Sequence, residues 1–267
     1  MLNDVQLYLR YLSVSIRSQM QYRVSFIMLS IGHLLTTVTE FVMLWALFDR
    51  FGSLHSWTLP EAALFYGIVN CGFAFAEGVA RGFDNFALLV RSGGFDRIFL
   101  RPRSTALQIA GSECQLLRIG RLVQGLAVLL WSMTALGLTW TGWRLLFLMA
   151  TVAGCACLFS ALFIIQATIC FWTTEPLEIM NATTYGGVET AQYPIAIYRE
   201  WFRRFFIYVI PLAGVTYFPA VALMDKQDPL GTSRLFQYIA PLSGPLFLIL
   251  TLQLWRIGVR HYRSTGS

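Results

Sequence analysis

Six apolar stretches, separated by more polar segments, dominate the pattern of the chain. They comprise residues 24–48, 62–80, 122–138, 145–172, 205–224 and 236–259. A helix needs about 20 predominantly apolar residues to cross the hydrocarbon core of a bilayer. The pattern therefore predicts an all-α membrane protein with six transmembrane helices.

Residues 1–23 precede the first apolar stretch and have a different pattern. Their apolar positions recur every three to four residues, so that one face of a helix would be apolar, while Arg10 and Arg17 occupy other positions. Such a helix before a transmembrane segment typically lies in the membrane interface. We therefore predict an N-terminal interfacial helix.

The fifth apolar stretch contains three residues that disfavour one straight helix, namely Pro211, Gly214 and Pro219. Proline removes a backbone donor and kinks or ends a helix. We expect a helix that ends near Gly214 and a second short piece that turns back into the membrane. Broken backbone at that depth must be covered by protein or line a wet cavity.

The composition and the charge distribution support a membrane protein. The 267 residues are 56% hydrophobic and 13% charged, whereas a soluble domain has about 25% charged residues. The net charge of +6 does not indicate nucleic-acid binding, because the arginines lie at the ends of apolar runs rather than on one soluble face.

The same charges predict an orientation. With both termini in the cytoplasm, 16 of the 20 basic residues lie on the inner side and 4 on the outer side. Segments rich in Lys and Arg stay in the cytoplasm. We therefore predict cytoplasmic N- and C-termini for a multi-pass protein of the cell (inner, or cytoplasmic) membrane.

These expectations give a single transmembrane domain over residues 1–267. Its predicted segments are an interfacial helix (1–23), spans 1 and 2 (24–80), a cytoplasmic loop (81–121), spans 3 and 4 (122–172), a cytoplasmic segment (173–204), spans 5 and 6 with a re-entrant piece (205–259) and a tail (260–267).

No motif for enzymatic chemistry is present. The chain lacks a G-x-x-x-x-G-K-[ST] phosphate-binding loop, an H-E-x-x-H zinc motif and a G-x-S-x-G nucleophile elbow. None of the five cysteines forms a C-x-x-C pair. We expect no metal, no catalytic residue and no nucleotide hydrolysis by this chain.

Glu40 is the one carboxylate well inside a predicted span. A carboxylate in lipid costs several kcal/mol, so it should face protein or water. His33 lies two helical turns earlier and shares its face. The two residues are expected either to line a transport pathway or to form a polar contact at a helix interface.

The loop 81–121 holds seven of the twenty basic residues. Attraction to anionic lipid headgroups would account for the charge alone. It would not account for Gly93-Gly94, followed by a short amphipathic piece that Pro102 ends. A short helix of this kind, outside the membrane, suits docking into the groove of a partner.

Four segments resemble one known family. They are GGFDRIFLRPRSTALQIAGSE, FWTTEPLEIMNA, YPIAIYREWFRRFFIYVIPLAGVTYFPA and WRIGVRHYRSTG. Together they look like the corresponding parts of type-2 ABC exporter permeases, the membrane subunits of ABC transporters. The resemblance covers most of the chain in order, except for about the first 60 residues, which match only in pattern.

The resemblance implies a fold and partners. Such permeases have six spans, pair with a second permease chain, and are driven by separate ATP-binding subunits that carry the ATP and Mg²⁺. Here the helix that docks on those subunits would lie around residues 84–103. Homodimer and heterodimer both stay open.

The expected site residues follow from the resemblance and from Glu40. The residues expected to couple the chain to the ATP-binding subunit are Gly94, Phe95, Asp96, Arg97, Leu100, Arg101 and Pro102. The residues expected to line the translocation pathway are Glu40, Tyr217 and Phe218.

The favoured hypothesis is an exporter subunit that moves a hydrophobic or amphiphilic solute outward. A membrane enzyme acting on lipid is the alternative, with Glu175, Glu178 and Glu189 as its candidate carboxylates. A structural or assembly subunit without transport is a third possibility. Membrane lipid is an expected contact in every case.

Overall fold

A computed structural model describes residues 4–113, 119–173 and 178–262 of the chain. The helices in these ranges are α1 (Asp4–Gln19), α2 (Arg23–Phe51), α3 (Leu59–Ala80), α4 (Phe86–Arg91), α5 (Gly94–Phe99), α6 (Thr105–Ser112), α7 (Ile119–Ala135), α8 (Gly142–Thr173), α9 (Glu178–Ala191), α10 (Glu200–Arg204), α11 (Leu212–Val215), α12 (Tyr217–Leu223), α13 (Arg234–Ile239) and α14 (Ser243–His261). Short 3₁₀ turns and one π turn, Phe205–Val209, connect some of them.

Within the described ranges, four continuous helical segments are long and apolar enough to cross a membrane. They are Gln6–Phe51, Leu59–Arg91, Gly142–Thr173 and Arg234–His261. A fifth crossing is available if the bent pair Glu200–Val209 and Leu212–Leu223 counts as one span. These findings confirm an all-helical membrane architecture, while the predicted six spans, the positions of the termini and the orientation stay predictions.

Helix α3 is the centre of the bundle. Its first turn is fixed by Glu61, whose Oε2 accepts a hydrogen bond of 2.7 Å from the backbone N–H of Thr58. Most of its side chains are buried, because α7, α8 and α9 all pack against it. Helix α14 lies on the other side of α8.

Helices α8 and α14 approach each other closely at small residues. The fourth apolar stretch, which forms α8, contains many such residues. A Cβ atom added to Gly244 of α14 would lie 2.0 Å from the carbonyl oxygen of Gly154 in α8. A Cβ atom on Gly154 would lie 2.5 Å from the carbonyl oxygen of Pro241. The crossing of α8 and α14 therefore depends on the absence of side chains at these positions.

A buried hydrogen-bonded group joins α2, α3 and α7. Gln124 of α7 donates through Nε2 to the carbonyl oxygen of Thr37 at 2.7 Å and to the hydroxyl of Tyr66 at 2.8 Å. Tyr66 in turn donates to the same carbonyl at 3.1 Å. In lipid, such donors have no water to bond, so this arrangement stabilises the packing of the three helices.

The loops collect at two ends of the bundle. At one end, which we call the loop end, Lys226 donates to Ser56 and to Glu61, and Arg144 pairs with Asp225. At the other end, which we call the hairpin end, helices α4 to α6 meet α1 and the last residues of α8 and α14. This grouping agrees with the predicted division into outer and inner segments.

The structure differs from the predicted cytoplasmic segment 173–204. Of this range, residues 174–177 lie outside the described residues. Helix α9 runs antiparallel to α3, since Tyr185 contacts Arg81 at the hairpin end and Tyr193 packs in the cluster that contains Ala62 at the loop end. The sequence did not indicate this helix, because its apolar positions are interspersed with Asn, Thr and Glu.

Residues 199–204 also belong to the loop end. Arg203 and Arg204 line a cavity of about 470 Å³ together with Leu230 and Phe236. Moving Arg199, Arg203 and Arg204 to the outer side changes the distribution of basic residues from 16 and 4 to 13 and 7. The charge rule still favours the same orientation.

The fifth apolar stretch contains a break, but the break lies at residues 210–211, where Pro211 cannot donate a helical hydrogen bond, and not near Gly214, which is inside α11. Helix α10 continues into the π turn Phe205–Val209, the direction changes by 73°, and α11 and α12 follow. Both α11 and α12 are buried against other elements. This segment is covered by protein, as broken backbone in a membrane requires.

We expect Gly244→Ala to lower the thermal stability of the purified protein by about 1–3 kcal/mol, because the new methyl group overlaps the backbone of Gly154. The matched control is Gly78→Ala in α3, where an added Cβ meets nothing within 4 Å. Thermal unfolding in detergent should show a lower midpoint only for the first variant. Equal midpoints would mean that the close crossing of α8 and α14 is wrong.

We expect single cysteines at positions 204 and 234 to react with a membrane-impermeant maleimide from the same side of sealed vesicles. The reason is that Arg204 lies with Thr232 and Phe236 in one cavity. A cysteine at Arg97, an exposed residue of the hairpin end, should react from the opposite side. If cysteines at positions 204 and 97 reacted from the same side, the original prediction that residues 173–204 lie with the hairpin on the cytoplasmic side would be supported instead.

Candidate functional site

The candidate site is a helical hairpin formed by α4 and α5 at the hairpin end. Gly93 makes the turn possible, because its φ of 65° lies in the left-handed region that glycine adopts without strain. The backbone N–H groups of Ser92 and Gly93 donate to the carbonyl oxygens of Leu88 and Val90, which closes α4. Helix α5 then begins at Gly94 and ends before Pro102, as predicted.

One face of this hairpin is anchored to the rest of the protein. Phe95 is fully buried, and its ring centroid lies 4.7 Å from that of Tyr262, 5.2 Å from Phe86 and 5.6 Å from Phe171 of α8. The ring planes of Phe86 and Tyr262 are near-perpendicular to that of Phe95, at 85° and 86°, and the ring plane of Phe171 is inclined to it at 62°, which are favourable edge-to-face arrangements. Phe95, together with the buried Gly94, therefore holds the hairpin and does not present itself to a partner.

Asp96 is also engaged within the chain. Its Oδ1 accepts a hydrogen bond of 2.7 Å from the hydroxyl of Tyr262, the residue after α14. Burial and this hydrogen bond raise the pKa of Tyr262 to about 12. The hydroxyl is protonated at neutral pH, as in an ordinary tyrosine, and can donate to the carboxylate.

The base of the hairpin is held by a second, polar group of residues. Arg81 lies 3.3 Å from Glu77 and 3.2 Å from Asp84, and it donates to the hydroxyl of Tyr185 at 2.6 Å. Asp84 also accepts from Gln166 of α8 at 3.3 Å. A buried ion pair needs hydrogen bonds to its remaining groups, and Tyr185 and Gln166 supply them only in part, since Nε of Arg81 has no hydrogen-bond partner among the described residues. The hairpin base is thus joined to both α8 and α9.

The other side of the hairpin is exposed to solvent in this chain. Leu100 is 82% exposed, Leu88 is 70% exposed and Phe99 is 50% exposed. Arg97 and Arg101 are exposed as well, and Arg101 donates through Nη1 to the hydroxyl of Tyr11 at 3.1 Å. Exposed large apolar side chains together with arginines are typical of a protein interaction surface. We call these solvent-exposed residues, with Pro102, the free hairpin face.

The predicted coupling residues therefore separate into two groups. Arg97, Leu100, Arg101 and Pro102 lie on the free hairpin face. Gly94, Phe95 and Asp96 form the anchored side. Leu88 belongs to the preceding helix and is also exposed, and it was not among the predicted coupling residues.

Glu40 is only partly buried, and its Oε2 has no hydrogen-bond partner among the described residues. The structure brings it within electrostatic range of Arg121 and Glu189. The guanidinium of Arg121 lies 5.2 Å from the centre of the Phe73 ring. Charged residues from α2, α7 and α9 thus share one region at the depth of the spans.

Sequence reasoning missed Arg121 and Glu189 as neighbours of Glu40. Both were assigned to cytoplasmic segments, because Arg121 closes an arginine-rich stretch and Glu189 lies among polar residues. The positions of α7 and α9 beside α3 bring these two residues to Glu40. Whether Glu40 lines a pathway or an interface stays a prediction.

Tyr217 and Phe218 are buried at the loop end. The Tyr217 ring lies 6.1 Å from Phe65 and 6.0 Å from Trp57, and its hydroxyl donates to Asp228 at 2.7 Å. Phe218 lies 5.0 Å from Phe236. That these two residues line the translocation pathway stays a prediction. For a solute to reach them, the aromatic contacts that bury them here would have to separate.

The described residues contain no group of three or more His, Cys, Asp or Glu side chains that could hold a metal ion.

A family model described as "ABC-2 family transporter protein" matches residues 34–266. No curated protein and no solved structure matched the chain. The matched range contains the whole hairpin, Glu40, Arg121, Glu189 and Tyr262.

We expect Phe95→Ala to lower the stability of the purified protein by about 3–5 kcal/mol, because it leaves a cavity in the aromatic cluster. Phe99→Ala is the matched control, since it removes the same ring from a half-exposed position of the same helix. Thermal unfolding in detergent measures both. If Phe95→Ala unfolded no earlier than Phe99→Ala, Phe95 would not be an anchor.

Proposed function

This chain belongs to the ABC-2 family of transporter proteins, and from that membership we propose that it is the membrane subunit of an ABC exporter driven by a separate ATP-binding subunit. Membership makes the chain a multi-pass membrane permease component rather than an enzyme in its own right. The exporter direction, the solute and the identity of the ATP-binding partner are part of the proposal. ATP and Mg²⁺ would reside on that partner.

The free hairpin face is the observation that carries the proposal. It combines exposed apolar side chains with arginines outside the spans, while its other face is fixed to α8 and α14. A surface that is both exposed and rigidly held can transmit force from a partner to the spans. We propose that Leu88, Leu100, Arg97, Arg101 and Pro102 contact the ATP-binding subunit.

The charged group around Glu40 supports a second permease chain. Glu189 is exposed in this single chain although α9 runs along the membrane-spanning helix α3. Ionisable side chains at membrane depth face protein or water rather than lipid. We propose that this side of the bundle faces a second permease chain and the translocation pathway between them, with a homodimer and a heterodimer equally compatible.

We propose a hydrophobic or amphiphilic solute, six spans with both termini in the cytoplasm, and a location in the inner (cytoplasmic) membrane. The short α7, at 17 residues, would serve as the third span, and α9 with the bent segment as the fifth. Pro211 to Pro219 would form the re-entrant piece near the outer face. The arrangement of loops at two ends supports this topology.

The structure gives less support to the alternative, a lipid-modifying enzyme. Glu175 lies outside the described residues. Glu178 and Glu189 are eleven positions apart on α9, which corresponds to about 16 Å along the helix. Two carboxylates at that distance do not form one catalytic group.

We expect Leu100→Asp to lower co-purification with the ATP-binding subunit at least tenfold and to reduce ATP hydrolysis of the complex, because a charge replaces an apolar contact at a buried interface. The matched control is Phe51→Asp, which introduces the same charge at a 71% exposed position at the end of α2 remote from the hairpin. Pull-down and ATPase assays on the reconstituted complex measure the effect.

The proposal would be contradicted if Leu100→Asp and Phe51→Asp assembled equally well. Unfolding midpoints of both variants should equal that of the wild-type chain, since neither side chain is buried in the isolated protein.

A further inference from the structure

Tyr262 connects the hairpin to the end of α14 across 166 positions of sequence. Its hydroxyl donates to Asp96 at 2.7 Å, and its ring meets Phe95 at 4.7 Å with an angle of 86° between the rings. Its own backbone N–H donates to the carbonyl oxygen of Val259 at 3.3 Å, so that it continues directly from the last turn of α14. Asp96 and Tyr262 therefore form a direct contact between α5 and a membrane-spanning helix.

The last two turns of α14 are held to the same cluster. Trp255 is buried, lies 5.1 Å from the Phe86 ring and donates through Nε1 to Thr105 Oγ1 at 3.2 Å. Gly258 packs so closely on Phe171 that an added Cβ would lie 2.6 Å from the ring. Positions 255 and 258 of α14 and position 262 directly after it thus contact α8 or the hairpin region.

These contacts differ in what they can transmit. Aromatic rings have two favourable arrangements, offset-stacked and edge-to-face, and each tolerates a range of centroid distances, so a pair of rings can shift and keep most of its contact. A hydrogen bond from a phenol to a carboxylate is directional and is stronger than a neutral one. The Asp96–Tyr262 bond fixes the direction in which α5 and α14 are joined.

We infer that Tyr262 is a positioning residue: through its hydrogen bond to Asp96 it makes α14 follow the movement of the hairpin. This inference rests on the proposed function, in which an ATP-binding subunit moves the free hairpin face. It gives Asp96 a role inside the chain, in place of the direct contact with that subunit expected from the sequence.

A double-mutant cycle tests the inference. Tyr262→Phe keeps the ring and removes the donor, Asp96→Ala removes the acceptor, and the third variant carries both changes. The readout is the ATP-dependent change in maleimide labelling of a cysteine at Leu246, a 60% exposed position near the start of α14. It is measured in the reconstituted complex with the ATP-binding subunit, against the same protein without Leu246→Cys.

We expect each single change to reduce the ATP-dependent labelling change about tenfold, and the double variant to be no worse than either single variant, because all three lack the same bond. Asp96→Asn should restore much of the response, since its amide oxygen still accepts from the tyrosine hydroxyl. Tyr208→Phe, which removes a hydroxyl at an 80% exposed position, should respond as the wild type.

Unfolding midpoints and the amount of assembled complex separate a positioning role from a structural one. Both should be unchanged in Tyr262→Phe. The inference is overturned if Tyr262→Phe keeps the full labelling response, if the single effects add, or if the lost response follows lost assembly. If the wild-type chain neither assembled with the ATP-binding subunit nor responded to ATP, the proposed function itself would be contradicted.

Discussion

The burial of Phe95 between α8, α14 and α4 determines how the hairpin can act. A six-residue helix such as α5 is not stable in isolation, because forming the first turn costs more than a few backbone bonds return. The aromatic cluster supplies the missing stabilisation and also fixes which face of the helix is hidden. The exposure of Leu100 and Arg97 is a direct consequence, since they are on the side that this packing leaves open.

Two kinds of attachment give the hairpin different connections. Its base, at Arg81 and Asp84, is joined by ion pairs and hydrogen bonds to Tyr185 of α9 and Gln166 of α8. Its tip is joined by Phe95 and Asp96 to α8 and to the end of α14. Movement of the free hairpin face would therefore reach α8, α9 and α14, and α9 also carries Glu189, which interacts electrostatically with Glu40. This arrangement connects the proposed docking surface with the charged group at membrane depth.

Much of the architecture could be predicted from apolar length and from residues that break helices. The sequence stretches that form α2, α3, α8 and α14 are apolar over 18 residues or more. Gly93, Pro102 and Pro211 lie at helix breaks that the structure contains. Helix α9 could not be predicted in the same way. Its polar residues are accommodated by other helices rather than by water, as Tyr185 with Arg81 illustrates, and a hydropathy pattern does not distinguish these two environments. The roles of the hairpin residues could not be predicted from the sequence either. Phe95 and Phe99 are the same residue type, and which of them is buried depends on the positions of Phe171 and Tyr262.

We propose that the free hairpin face, and not the anchored one, contacts the ATP-binding subunit. The most direct test is photo-crosslinking in the assembled complex from a benzoylphenylalanine placed at position 100 and, separately, at position 99 and position 86. We expect crosslinks to the ATP-binding subunit from position 100, weaker ones from the half-exposed position 99, and only intramolecular products from the buried position 86. Intermolecular crosslinks from position 86 with none from position 100 would contradict it.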